Sequence, residues 1–218
     1  MSAAADRLHR VQTDIASAAK LARRDSGVVA LIAVSKTRTA EEIEALIDAG
    51  QRDFGESRVQ EALAKWPPIL ERHPDITLHG IGRVQSNKAA EAVRLFDPIH
   101  SLDRESLLEA LVKEAGKQGR QPSIYVQVNI GEEEQKGGCA IDEVGGLVAA
   151  VRASPLALAG LMAIPPLDAE PSPYFALLAE IARRHDVAGL SMGMSADYKA
   201  AVMLGATAIR VGTALFED

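Results

Sequence analysis

The chain has 218 residues, 47% hydrophobic and 25% charged, with a net charge of −6. That profile belongs to a folded domain with a core and excludes a disordered, collagen-like or coiled-coil chain. The acidic balance argues against a nucleic-acid or anionic-membrane surface, which needs concentrated Lys and Arg. The single cysteine, Cys139, excludes an internal disulfide and a Cys-rich metal site and points to a cytoplasmic protein.

Residues 1–27 carry Asp6, Arg7, His9, Arg10 and Asp14 where a signal peptide needs an uncharged apolar block, so no export is expected. No run approaches the roughly 20 apolar residues of a membrane span. Leu8, Val11, Ile15, Ala18, Ala19 and Ala22 recur at helical spacing, which predicts an amphipathic opening helix ending near Gly27. The continuous β-branched-rich run 28–34 then reads as a parallel strand covered on both faces. Thr39, with Glu42 at the capping-box spacing, starts a helix that Gly50 closes.

The same strand-then-helix unit repeats. Strands are predicted over 53–55, 77–81, 98–102, 123–130, 156–163, 187–191 and 208–211. The helices between them are predicted over 57–71, 87–96, 104–116, 141–152, 174–184 and 196–204. No linker or composition shift splits the chain. Eightfold β/α alternation in this length predicts a (β/α)8 TIM-type barrel with an extra N-terminal helix, one domain over 1–218. The alternative, an open doubly wound sheet, normally has a Gly-rich turn after its first strand, where this chain has Ser35-Lys36-Thr37.

Barrel sites lie where strands end and loops begin. Lys36 stands two residues beyond the first apolar run, at the mouth of an apolar barrel. Burial there disfavours the ammonium, and a neutral amine is what attacks a carbonyl. Ser191-Met192-Gly193-Met194-Ser195 and Arg210-Val211-Gly212-Thr213 end the last two strands. Their small residues admit backbone N–H groups to a phosphate, Ser195 and Thr213 add hydroxyl donors, and the helix starting near Ala196 directs its positive end at the anion. Arg210, between apolar neighbours, needs an acceptor in a desolvated setting. An amine, a phosphate cradle and an arginine in reach of a ring nitrogen are the parts that hold pyridoxal 5′-phosphate (PLP).

With these residues in place the chain resembles the pyridoxal-phosphate homeostasis protein family, which shares the barrel of alanine racemase's N-terminal domain. The resemblance runs through Ala33-Val34-Ser35-Lys36-Thr37, Phe54-Gly55-Glu56, Val59-Gln60-Glu61, Ile81-Gly82 and Gln85-Ser86-Asn87-Lys88. It continues through Gly160-Leu161-Met162-Ala163-Ile164-Pro165, Leu190-Ser191-Met192-Gly193-Met194-Ser195 and Arg210-Val211-Gly212-Thr213-Ala214-Leu215-Phe216. It implies a Schiff base of PLP on Lys36, phosphate held around Ser195, Gly212 and Thr213 with Met194 beside them, and Arg210 facing the pyridine nitrogen. It also implies a PLP-binding monomer acting in vitamin B6 homeostasis, storing the cofactor or delivering it to apo PLP-dependent enzymes without robust catalysis.

Ser57-Arg58 replaces the family's Asn-Tyr, Gly80 stands where a bulky residue is common, and Arg83-Val84 departs from the usual Pro/Arg/His-Leu. These changes bear on how the open side of the cofactor is lined. The alternative function is a PLP-dependent racemase, which needs an acid/base group on each face of the substrate. In the alanine racemase pattern a separate β-domain supplies one of them, and a chain ending at Asp218 is expected to leave no residues for it.

The remaining polar residues suggest less. The five histidines (His9, His73, His79, His100, His185) lack metal-ligand spacing, and no metal is expected. Asn87 is expected to cap the helix after the third strand, with Gln85-Ser86-Asn87-Lys88 a polar rim or partner surface. Gln127 and Asn129 are expected to face the barrel interior, Lys136 to be a surface charge and Cys139 a plain thiol.

Overall fold

Eight parallel strands close into a barrel in chain order: β1 (Ala30–Val34), β2 (Asp53–Glu56), β3 (Thr77–Gly80), β4 (Ile99–Leu102), β5 (Ile124–Val128), β6 (Leu158–Ala163), β7 (Leu190–Ser191) and β8 (Ala208–Val211), with β8 pairing back onto β1. The computed structural model describes residues 2–217; Met1 and Asp218, the ends of the expected 1–218 domain, lie outside the described residues. Helix α1 (Ala3–Leu21) precedes the barrel. Around it run α2 (Ala40–Asp48), α3 (Val59–Lys65), α4 (Pro67–Arg72), α5 (Ala89–Leu95), α6 (Glu105–Gln118), α7 (Val144–Ala153), α8 (Ser172–Arg184), α9 (Tyr198–Met203) and α10 (Thr213–Phe216). This is the (β/α)8 TIM-type barrel with an added N-terminal helix that the periodicity predicts.

Side chains on a strand alternate between the barrel interior and the helix layer. On β8, Ile209 and Val211 join the large apolar cluster under the helices, while Ala208 and Arg210 take the other face. The same alternation sends Leu78 outward and His79 inward, Ile99 outward and His100 inward. The helix-to-sheet layer is therefore apolar, centred on Trp66, Phe54, Phe96 and Phe175, whereas the barrel interior holds buried His79, His100, Ser191 and Arg210. The expectation of an apolar barrel is corrected at this point.

Helix α1 buries Ala4, Leu8, Val11, Ile15, Ala18 and Ala19 against α9 and α10. Tyr198 Oη donates to Asp14 at 2.7 Å and Arg7 Nε to Leu215 O at 2.9 Å, so the first helix clamps the segments that carry the last two βα loops. The predicted capping box of α2 is present, with Glu42 N donating to Thr39 Oγ1 at 3.3 Å and Thr39 N to Glu42 Oε2 at 2.8 Å.

Several boundaries differ from expectation. Residues 26–28 form a 3-10 turn, so β1 starts at Ala30 and Val28 is exposed. The helix expected over 57–71 is two, because Pro67 and Pro68 lack the N–H groups needed to continue it past Trp66. Asn87 lies inside a 3-10 turn, Ser86–Lys88, and α5 begins after Lys88 with no side-chain cap. α9 starts at Tyr198, two residues later than expected, because Met194 N donates to Asp197 Oδ1 at 2.5 Å and holds 194–197 as a separate turn.

Candidate cofactor site

The C-terminal ends of β1, β7 and β8 surround a cleft of about 540 Å3, within the range of small-molecule sites. Val34, Lys36, Thr37, Ser57, Ile81, Ile164, Met194, Ser195, Arg210, Gly212 and Thr213 line it. All six residues singled out from the sequence as cofactor contacts thus converge on one cleft.

Lys36 sits in the turn after β1 and is exposed. The expected desolvated amine is therefore corrected: Lys36 lines the cleft from the turn beyond β1 and is open to solvent. The next residue, Thr37, has φ +63°, an uncommon conformation for a β-branched residue that costs on the order of 1–3 kcal/mol. Its amide donates to Glu61 Oε1 at 2.6 Å. Below the turn, Glu56 is fully buried and accepts on Oε1 from Ser35 Oγ at 2.8 Å and Trp66 Nε1 at 2.9 Å. Lys65 pairs with the same oxygen at 2.7 Å and donates to Ser35 O at 2.8 Å. This buried pair staples the Lys36 turn to α3. Sequence reasoning listed Phe54-Gly55-Glu56 as a motif but gave Glu56 and Lys65 no role; a carboxylate ending a strand, with a lysine on the following helix, was the available signal.

The β7 and β8 loops are joined by backbone and hydroxyl contacts. Arg210 N donates to Gly193 O at 2.9 Å and Gly212 N to Ser195 Oγ at 3.2 Å. Gly193 has φ +96°, and a Cβ there would lie 2.5 Å from Ala201 Cβ, so the turn requires glycine. Gly212 is different: a Cβ would meet only Val34 atoms at 3.6 Å, so the protein itself leaves room beside this backbone. Leu215 N and Phe216 N turn back to Gly212 O, closing α10 so that its first amides point out of the helix end beside Thr213. An acceptor-rich dianion fits this donor set of hydroxyls and backbone amides.

Arg210 is 4% exposed. Its Nη1 donates to Ser191 Oγ at 2.5 Å and Nη2 to Ala163 O at 2.9 Å, the acceptors its setting demands. Burial lowers its pKa to about 10, which leaves it a cation near neutral pH. The chemistry of the set fits PLP: an amine for the aldehyde, hydroxyls and amides for the phosphate, a permanent donor for the ring.

Other expectations change. Gly80 faces Phe96, whose Cδ2 a Cβ would approach to 2.7 Å; it is a packing glycine in the helix layer, away from the cleft. Gln127 shares the inward face of β5 with Tyr125, since Val126 and Val128 join the apolar cluster under the helices, and it is paired as expected by donating to Gly137 O at 3.1 Å; Asn129, one residue past the end of β5, donates to Glu133 O at 2.9 Å and braces the loop that follows. Lys136 is half-buried, paired with Glu133 and donating to Pro165 O at 3.1 Å, and is not a free surface charge. Burial pushes the Cys139 thiol up to about 12, which makes it unreactive near neutral pH. Among the described residues no group of three or more His, Cys, Asp or Glu is placed to hold a metal ion, and no helix is long and apolar enough to cross a membrane.

Known proteins resemble the chain along nearly its whole length. A family profile described as alanine racemase, N-terminal domain, matches residues 7–218. The pyridoxal phosphate homeostasis protein of Pseudomonas aeruginosa is 40% identical over 223 residues, covering 99% of this chain and 96% of its own. The chain belongs to the pyridoxal phosphate homeostasis protein family. The solved structure of PipY from Synechococcus elongatus with PLP bound is 40% identical, covers 98% of this chain and 99% of its own, and superposes with a TM-score of 0.82. An alanine racemase from Corynebacterium glutamicum shares the fold alone, at 15% identity and TM-score 0.63, with 59% of its chain covered.

Proposed function

We propose that this protein binds PLP through Lys36 and holds it for vitamin B6 homeostasis, as a cytoplasmic monomer that stores the cofactor or passes it to apo PLP-dependent enzymes, without catalytic turnover. The observation that carries the reading is the convergence of Lys36, Ser195, Arg210, Gly212 and Thr213 on one cleft from three different strand ends. PLP bound in the 40%-identical PipY supports it.

PLP supplies an aldehyde that condenses with an amine and a ring that accepts electron density. Lys36 provides the amine from an exposed turn, an accessible position for loading and release. Ser195, Gly212, Thr213 and Met194 form the phosphate end. Arg210 stays protonated and donates, so a ring nitrogen facing it remains an acceptor and the electron sink is shallow. Turnover would also need a base opposite Lys36. Among the described residues no tyrosine lines the cleft: Tyr198 is tied to Asp14, and Tyr125 stacks on His100 inside the barrel. The one carboxylate in the lining, Glu217, is paired with Arg38. These features favour a carrier over a racemase.

The test is incubation of the PLP-loaded protein in heavy water with common L-amino acids, alongside transfer to an apo PLP-dependent enzyme. The expected result is activation of the apo-enzyme with no Cα deuterium incorporation. Exchange at about 1 per second or faster, abolished by Lys36→Ala, overturns the carrier reading in favour of a racemase.

A further inference from the structure

A line of polar side chains, buried except at Asp53, crosses the barrel from one end to the other. Asp53 Oδ1 lies 2.9 Å from His79 Nε2, His79 Nδ1 lies 3.0 Å from His100 Nε2, and His100 Nδ1 lies 2.9 Å from Ser191 Oγ. Arg210 Nη1 completes the line at 2.5 Å from Ser191 Oγ. Asp53 lines a second cleft, of about 580 Å3, at the N-terminal end of the strands; Arg210 lines the cofactor cleft.

The two ends fix the direction of the outermost bonds. A guanidinium only donates and a carboxylate only accepts. Ser191 Oγ accepts from Arg210 and keeps one proton to give, with His100 Nδ1 in reach as its acceptor at 2.9 Å. His100 then donates from Nε2 to His79 Nδ1, and His79 donates from Nε2 to Asp53. With both imidazoles neutral, every ring nitrogen in the line has its partner. Burial, with His79 and Arg210 nearby, holds the His100 pKa well below the usual histidine value, consistent with a neutral ring. Tyr125, stacked on that ring at 4.2 Å and 16°, fixes its plane.

We propose that His79, His100 and Ser191 are positioning residues for Arg210, aiming its guanidinium into the cofactor cleft and linking that buried cation to the carboxylate of Asp53. The inference rests on the PLP reading, in which Arg210 meets the ring nitrogen. The physical need is clear from the burial: Arg210 has only neutral hydrogen-bond partners beside it, and a serine hydroxyl with no acceptor of its own would be free to rotate and release it.

The experiment compares affinity for PLP with affinity for its 1-deaza analogue, in which a C–H replaces the ring nitrogen. In His100→Phe, which keeps an aromatic ring against Tyr125, PLP affinity is expected to fall about tenfold while deaza affinity stays at the wild-type value. His100→Gln, which can accept from Ser191 and donate to His79, is expected to recover most of the loss. Equal weakening of both compounds, or no change in either, overturns the positioning role. Nitrogen-15 NMR of the apo-protein supplies a second readout. Both His79 and His100 are expected as Nε2–H tautomers; a doubly protonated His79 or an Nδ1–H form of His100 overturns the bond direction. If the wild-type protein binds neither compound, the PLP reading fails, while the apo-protein spectrum still decides the line itself.

Discussion

Replacing Lys65 with methionine probes the staple under the Lys36 turn. The change keeps much of the aliphatic stem and removes the ammonium, which is 2.7 Å from Glu56 Oε1 and 2.8 Å from Ser35 O. The Lys65 side chain is 12% exposed and that of Glu56 is 0%. What remains is a buried carboxylate with neutral donors on Oε1 and, among the described residues, no hydrogen-bond partner on Oε2. Breaking a buried pair by removing one partner costs about 3–5 kcal/mol, and the slight exposure of Lys65 places this case near the lower end. A global stability of about 5–15 kcal/mol makes that loss easy to measure. Urea unfolding is the assay: the midpoint is expected to fall at unchanged slope. Glu56→Gln in the Lys65→Met background is expected to regain about 1–3 kcal/mol, since the stranded charge is gone. A loss below about 0.5 kcal/mol in the single variant, the size of an ordinary surface substitution, would refute the claim that this pair holds the turn.

Ser195→Ala with Thr213→Ala is expected to weaken PLP much more than unphosphorylated pyridoxal, at about 1.5–3 kcal/mol for each lost bond to a charged group; equal weakening in a titration of both ligands places the phosphate elsewhere. His100, whose pKa burial depresses in the folded protein, is neutral there while the unfolded chain still takes up its proton near the ordinary value of 6.5. Stability from this group is therefore present above that value and is lost as pH falls below it, by about 1.4 kcal/mol per pH unit once the unfolded histidine is fully protonated. Chemical denaturation between pH 7 and 5 is expected to show a shallower acid loss for His100→Gln than for wild type, and parallel curves contradict the buried neutral ring.

The barrel was legible because short strands alternate with helical periods, as in α9 and the strand 208–211 that follows it. The cleft was legible because its residues stand at strand ends, where any such barrel places its site. What failed to show was inward chemistry. His79 and His100 each sit between residues of the opposite face, and one-residue alternation does not say which face is the barrel lumen when the outer face is apolar as well. Lys36 read as buried because the run before it is apolar; β1 ends at Val34, and Lys36 stands exposed in the turn beyond it. Long-range partners such as Lys65 for Glu56, or Tyr198 for Asp14, depend on helix packing that no local pattern encodes.

The central claim is that Lys36 is the residue that takes the cofactor. Lys65, the other lysine at this turn, is bound to buried Glu56 and gives a built-in comparison. The direct measurement is borohydride reduction of the PLP-loaded protein, followed by peptide mapping of the modified lysine. The account expects one stoichiometric adduct, on Lys36, and none in a folded Lys36→Ala variant. A stoichiometric adduct on Lys65, Lys88, Lys136 or Lys199, or an undiminished adduct in Lys36→Ala, would contradict it.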